Sequence, residues 1–518
     1  MKNQLIMLAA CASLAITACK KESNLDLNAN KNTAAADISI TGKTKVQVTA
    51  NITADVTWTA DNVYEIAGQI VVKNNATLTI EPGTVIYGKQ STGKTVTGAP
   101  GALIIAQGSK LMAVGTETNP IVFTSYRKVD NDATTAPLAG DFGGVVLLGK
   151  ASTNHSAPAQ IEGVVTGLES CTYGGPDFTQ DNDNSGTLQY VRIEYAGFDI
   201  NNGNEINGLT CGGVGSGTTL DHIEVYYGKD DAFEFFGGTV NASYLLAYAQ
   251  EDDGLDFDTG YRGTINYAVV ITDLAGSHTA NDSNAIECDN NSGGTTTAIT
   301  TKPVLNHITI VGAKIPSSWN NTTVTNGALL YGARFRRATQ FDMQNSVIIG
   351  YPAALRVEGL TGRYLAGIDS TVVKVVKGVS TTVTVPKQWK AGSRTATFAN
   401  NYMSSFSSSV NYAVASNDST GVTGSKVAVK PLVASVNGAY LATNYKNIND
   451  ELNTSNSNYN STLAKSVFVQ PFVNATGAVN LGITKGASAI LPTQGHLAAT
   501  NGVKPTWGKN WTAGVYGF

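Results

Sequence analysis

Leu188-Gln189-Tyr190-Val191-Arg192-Ile193 returns as Leu220-Asp221-His222-Ile223-Glu224-Val225, then as Ile265-Asn266-Tyr267-Ala268-Val269-Val270 and Leu305-Asn306-His307-Ile308-Thr309-Ile310. Each copy is apolar at its first, fourth and sixth positions. Between copies runs a second repeat, Asp230-Asp231-Ala232-Phe233-Glu234-Phe235, then Asp252-Asp253-Gly254-Leu255-Asp256-Phe257, then the looser Asn284-Ala285-Ile286-Glu287-Cys288-Asp289. From Asp230 to Asp252 is 22 residues, about one rung of a β-solenoid. Runs this short cannot bury a core alone, but stacked turns of a coil can. Helical periodicity is absent here, and parallel crossovers favour one hand. The fold class read from these repeats is all-β: a right-handed parallel β-helix.

The same style reaches upstream through Gln69-Ile70-Val71-Val72, Leu78-Thr79-Ile80, Leu103-Ile104-Ile105 and Val145-Val146-Leu147-Leu148, separated by Asn-Asn and Pro-Gly turns. Composition agrees. Of the 518 residues, 14% are charged, against a usual share of roughly 25%, and 54 are glycine. The net charge of −4, from 35 basic and 39 acidic residues, leaves no basic stripe to neutralise phosphates, which argues against nucleic acid as a partner.

The chain begins with a short positive n-region at Lys2, an apolar stretch from Leu5 to Ile16, and Leu14-Ala15-Ile16-Thr17-Ala18-Cys19. Small residues before a cysteine mark a lipoprotein signal, with residues 1–18 removed and Cys19 acylated and inserted in outer-membrane lipid. An ordinary signal peptide with an incidental cysteine is the alternative. The apolar run is too short for a membrane-spanning helix. Residues 19–55 read as the acylated cysteine and a polar, flexible tether, and 56–360 as the β-helix. Residues 361–465 read as a loop-rich hairpin or insertion, and 466–518 as final rungs with an aromatic end cap around Trp507 and Trp511. The expected address is the outer membrane, exposed at the cell surface.

Alternation turns Phe233, Phe235, Leu255 and Phe257 inward, so Glu234, Asp256 and Glu287 point outward in one column. Asp230, Asp231, Glu234, Asp252, Asp253 and Asp256 then lie on rungs about 4.8 Å apart. Like charges so close need a bridging cation or protons, and hard oxygens in that number suit Ca²⁺. The alternative is that these aspartates cap turns through backbone N–H groups. Asp181 and Asp183, in Asp181-Asn182-Asp183-Asn184-Ser185-Gly186, resemble the start of a calcium loop. Arg192 stands where the closing Glu belongs, leaving an Asx-rich turn as the rival reading. Tyr190, His222, Tyr267 and His307 occupy one repeat position, an outward ladder for a sugar or a plain solvent-face stack. Cys171 and Cys211, both in Gly-rich loops, are paired as a disulfide, and Cys288 packs as an apolar residue.

The motifs around Leu78-Thr79-Ile80-Glu81-Pro82-Gly83-Thr84, Asn207-Gly208-Leu209-Thr210 through Thr218, Asp230-Asp231 through Asn241, and the terminal Trp507 to Thr512 resemble a family of parallel β-helix surface lipoproteins of Bacteroidota, with relatives in marine proteobacteria. The likeness covers roughly 58–360 and the last few residues. It implies fold and address, and no activity follows from it.

Two function classes follow. One is an extracellular binding or adhesion module for glycan or an envelope protein, stabilised by calcium. The other is a polysaccharide lyase or glycoside hydrolase, with paired carboxylates as acid and base and Arg262 as the nearby basic group. Arg334, Arg336 and Arg337 would meet an acidic sugar or balance the column. Loops in 400–465 offer a phage or host contact as a third reading. The sequence leaves catalysis undecided and inclines toward binding.

Overall fold

The computed structural model describes residues 38–89, 100–272 (apart from 131, 133, 166, 202 and 203), 283–312, 331–351, 353–358, 361, 370–376, 379–385, 396–399, 401–405, 412–415, 445–447 and 511–513. The signal segment, Cys19, Trp507 and most of 416–510 lie outside these.

Two long parallel sheets form the coil. Sheet A holds nineteen described strands and sheet B ten. Sheet B stacks Gln69–Val72, Ala102–Ile105, Gly144–Leu148, Leu209–Gly212, Phe233–Phe236, Leu255–Asp258, Ile286–Cys288, Tyr331–Phe335, Ala353–Glu358 and Tyr412–Ala415, every pair parallel. The register aligns Val72, Ile105, Leu147, Cys211, Phe235, Phe257, Cys288, Phe335 and Val357 inward as one column of the core. Phe235 and Phe257 stack at 5.3 Å between centroids, with Tyr261 beside both. Outward, the same strands align Val71, Ile104, Val146, Thr210, Glu234, Asp256, Glu287, Arg334 and Arg356.

The apolar spacing of one, four and six in sheet A has a backbone cause. A straight strand cannot point residues three apart to one side. Tyr190, His222, Tyr244, Tyr267 and His307 each adopt a left-handed conformation, with φ between 50° and 59°. The extra bend puts Leu188, Val191 and Ile193, and their counterparts above, all into the core.

The coil begins before the limit read from sequence, and it has rungs within the segment read as a loop-rich insertion. Its first strand is Thr44–Val48, paired with Asn62–Ile66, so the tether does not reach 55. Ile38 and Ile40 already pack beside Val63, Val85, Tyr87 and Val129. An antiparallel hairpin, Ser370–Val376 with Val379–Val385, interrupts the repeat. Rungs resume at Thr397–Ala399, Asn401–Ser405, Tyr412–Ala415 and Tyr445–Asn447. The insertion breaks the period, which is why the sequence repeat fades near 360. Trp511 seals apolar surface, but on the flank of the coil and not over its last rung: it meets Tyr190 and His222 edge-on at 5.9 and 5.8 Å. Ala513 N–H donates to Glu224 Oε2 at 2.6 Å beside it.

A covering layer lies on the outer face of sheet B. The short ribbon Ala159–Gln160 with Thr172–Tyr173 belongs to it. Ile161, Val164, Cys171, Tyr173 and Ile206 bury Val71, Ile104, Val146, Leu148 and Phe236. The disulfide expected between Cys171 and Cys211 is not formed, and Cys171, Cys211 and Cys288 are all free. Sidedness explains the correction: Cys211 points into the coil and Cys171 sits in the layer outside the sheet. Cys288 packs in the core as expected.

Candidate metal centre

The acidic site is built from two positions of each sheet B rung. One is the outward residue of the strand, Glu234, Asp256 or Glu287. The other lies two residues before the strand and runs Asn207, Asp231, Asp253, Asn284 up the coil. Asp253 N–H donates to Asp231 Oδ1 at 2.8 Å, and Asn284 N–H donates to the Asp253 carboxylate. Turn capping therefore accounts for one oxygen on each of these two aspartates.

The second atom of this position distinguishes the rungs. Asn207 donates its amide to Glu234, and Asn284 donates to Glu287 Oε1 at 3.1 Å. Ionised Asp231 and Asp253 have no proton to give. At Asp231 the oxygens converge instead: one atom each from Asp231, Glu234 and Asp256 lie within 4.8 Å of one another, and so do atoms of Asp230, Asp231 and Asp252. Asp256 is partly exposed as a residue, yet its Oδ1 is shut off from solvent and accepts no hydrogen bond. Three converging carboxylates, one of which also carries a buried oxygen with no hydrogen-bond partner, fit a hard cation with oxygen ligands.

The covering layer adds acid. Glu162 hydrogen-bonds Glu234, and burial, then the charges of Glu205 and Asp258, push its carboxyl up to about 7. Asp258 is pushed up to about 6 by burial and by Asp289. Burial first, and neighbouring carboxylates second, raise Asp230, Asp231, Glu234, Asp253 and Asp256 well above the usual range. Arginines stand at the other end of the column. Arg336 pairs with Glu287 and with Asp289 at 2.8 Å, Arg337 with Asp289 at 2.6 Å, and Arg334 with Glu358 at 3.1 Å and Glu287 at 3.4 Å. They balance acids of the chain, the plainer of the two roles expected of them.

These shifts fix a pH dependence. Between about pH 4 and 7 the folded protein holds protons on Glu162 and Asp258 that the unfolded chain, at ordinary values of 4.5 and 3.8, has released. Folded-state proton excess means stability falls as pH rises through that window. Melting temperature measured in chelator should therefore drop from about pH 5 to about pH 8. Saturating calcium should flatten the drop, since a cation favours the ionised carboxylates. A melting temperature that rises with pH in chelator would contradict the assignment.

Other sequence candidates are placed elsewhere. Asp181 accepts from Ser152 N–H at 2.9 Å and Ser152 Oγ at 2.6 Å, and pairs with Arg262 at 3.0 Å. Asp183 accepts from Lys150 N–H at 3.0 Å, and Asn184 from Gly186 N–H at 2.7 Å. The calcium-loop expectation gives way to an Asx-rich turn whose carboxylates fasten the backbone at 150–152. Arg262 is spent there too, and does not serve the column. Tyr190, His222, Tyr267 and His307 do stack, joined by Tyr244, at centroid spacings of 4.5, 4.4, 5.3 and 5.0 Å. Each inner ring spends both faces on neighbours, so the stack offers solvent mainly ring edges, and sugar stacking needs a face. Tyr244 escaped the sequence reading because its copy, Ala242-Ser243-Tyr244-Leu245-Leu246-Ala247, carries alanines at two core positions. Glu162 escaped because nothing local ties it to a rung some 70 residues onward.

Compared with known proteins, residues 50–427 match the pectate-lyase-like β-helix domain family. No curated protein and no solved structure matches the chain.

Proposed function

Since the chain belongs to the pectate-lyase-like β-helix family, we propose that it is a calcium-stabilised glycan-binding module of the cell envelope, tethered to the outer membrane through acylated Cys19 and facing outward. The observation that carries this reading is the convergence of one carboxylate oxygen each from Asp231, Glu234 and Asp256 within 4.8 Å, together with the buried, unbonded Oδ1 of Asp256. Asp231, Glu234 and Asp256 would hold the ion, with Asp230 and Asp252 beside them. The ion would supply two positive charges to a cluster that the chain fills mainly with carboxylates, and a Lewis-acid surface for sugar oxygens. Lyase chemistry on this scaffold would need a basic residue free to take a proton. The arginines nearest the column are held in ion pairs with Glu287, Asp289 and Glu358, which supports binding over catalysis.

The test is isothermal titration of the protein with calcium chloride, beside Asp252→Asn and Asp256→Asn. Binding in the native protein, weakened in both variants, is expected, with a stabilisation of about 2.7 kcal/mol once calcium reaches roughly a hundred times Kd. A screen of neutral and acidic polysaccharides with and without calcium then tests the glycan. No heat and no change in melting temperature would overturn the cation reading.

A further inference from the structure

We infer that residues 511–513 act as a clasp, closing the end of the chain onto the middle of sheet A and restraining the last rungs from fraying. The inference does not depend on the calcium reading and concerns a different face of the coil.

The seat of the clasp is marked in the repeat itself. The register of sheet A aligns Val122, Arg192, Glu224, Leu246, Val269 and Thr309 on its outer side, since the residues flanking each of them face the core. All are buried, and only Arg192 and Glu224 carry charge. Arg192 pairs with Glu194, which is buried too and accepts from Thr124 Oγ1 at 2.7 Å. Glu224 Oε2 stands 3.9 Å from Arg192 Nε. Two carboxylates thus share one guanidinium away from water, which is costly unless further donors arrive.

Residues 511–513 bring such a donor. Ala513 N–H reaches Glu224 Oε2 at 2.6 Å. Trp511 has no exposed surface, and its ring meets those of Tyr190 and His222 at 84° and 73°. An apolar anchor and a main-chain hydrogen bond therefore land together where the outer column turns from apolar to charged.

The contact spans 289 residues of sequence. Past Thr219–Tyr226, sheet A continues from strand to parallel strand as far as Tyr445–Asn447. That is roughly 29 Å of coil at about 4.8 Å a rung. In a solenoid each turn touches only its neighbours, so an end can unravel one turn at a time. Fastening 513 to 224 changes this. Whatever unravels between them remains a closed loop, which gains less entropy than a free tail.

The experiment is hydrogen–deuterium exchange on the full chain, read by peptide mass spectrometry, for the native protein, Trp511→Ala, Trp511→Phe and Ala513→Pro. In Trp511→Ala the amides of Thr397–Ala399, Asn401–Ser405 and Tyr412–Ala415 should exchange roughly tenfold faster, a typical size for coupling between distant sites. Those of Gln69–Val72 and Ala102–Ile105, outside the closed loop, should keep their native rates. Ala513→Pro removes the donor and should speed the same late rungs. Trp511→Phe keeps a ring in the seat, should fall between native and alanine, and carries the test if the alanine variant fails to fold. Faster exchange confined to Gly186–Glu194 and Thr219–Tyr226 would reduce residues 511–513 to a local cover and overturn the inference. Equal acceleration in every rung would mean a general loss of stability and overturn it as well. Native rates throughout would do the same.

Discussion

Arg336→Ala should destabilise the protein by about 3 kcal/mol, the lower part of the range for removing one partner of a buried ion pair. Arg336 donates from its fork to both Glu287 and Asp289, whose side chains are 11% and 6% exposed. Without it, two buried carboxylates lose their central counter-charge. Arg334 and Arg337 still reach one each, at 3.4 and 2.6 Å, which places the effect at the lower end and not beyond it. Arg336→Lys keeps the charge but not the planar fork, and should fall between native and alanine. Denaturant unfolding measures all three. Pairing Arg336→Ala with Glu287→Gln should return part of the loss, because the uncompensated charge goes with it. If the double variant is no better than the single one, the arginine acts by packing and not by charge.

Asp231→Asn should work in the opposite direction. In chelator it should raise stability by about 1.5–3 kcal/mol, the value of a hydrogen bond to a charged group. The reasoning comes from the neighbouring rungs. Asn207 and Asn284 occupy the same position and donate to Glu234 and Glu287. An asparagine at 231 keeps the oxygen that accepts from Asp253 N–H and gains an amide directed at carboxylates. It also removes a ligand, so the gain on adding calcium should vanish. Stabilised without the ion and deaf to it is a signature that a simple folding defect does not produce. A melting temperature lowered in both chelator and calcium would show that Asp231 serves only as a charged turn cap.

The coil was legible because its core is periodic. Phe233, Phe235, Leu255 and Phe257 alternate with outward acids, and stacking follows once the 22-residue step is seen. The acidic column was legible for the same reason, since its members sit on the strands that carry the repeat. What failed depended on sidedness or on a second layer. Cys171 and Cys211 both stand in Gly-rich sequence, but the register turns Cys211 into the core, with sheet B between them. Asp181 and Asp183 have the spacing of ligands and are consumed by the backbone and side chain of 150–152. Glu162 has no pattern of its own, because the covering layer obeys tertiary packing and not a rung period.

The outward column of sheet B also has a direction. Along the coil axis it passes from Val71, Ile104 and Val146 through Thr210 to Glu234, Asp256 and Glu287, and then to Arg334 and Arg356. A solenoid of identical turns would present the same side chain at every rung. This face behaves as a vector instead, oily at its tail, then acidic, then lined by arginines paired with Glu287 and Glu358. The layer that covers its tail could not be reversed end for end without taking Ile161 and Val164 off Val71, Ile104 and Val146 and setting them over acids. Polarity of that kind lets a repeating scaffold accept its cover in one orientation.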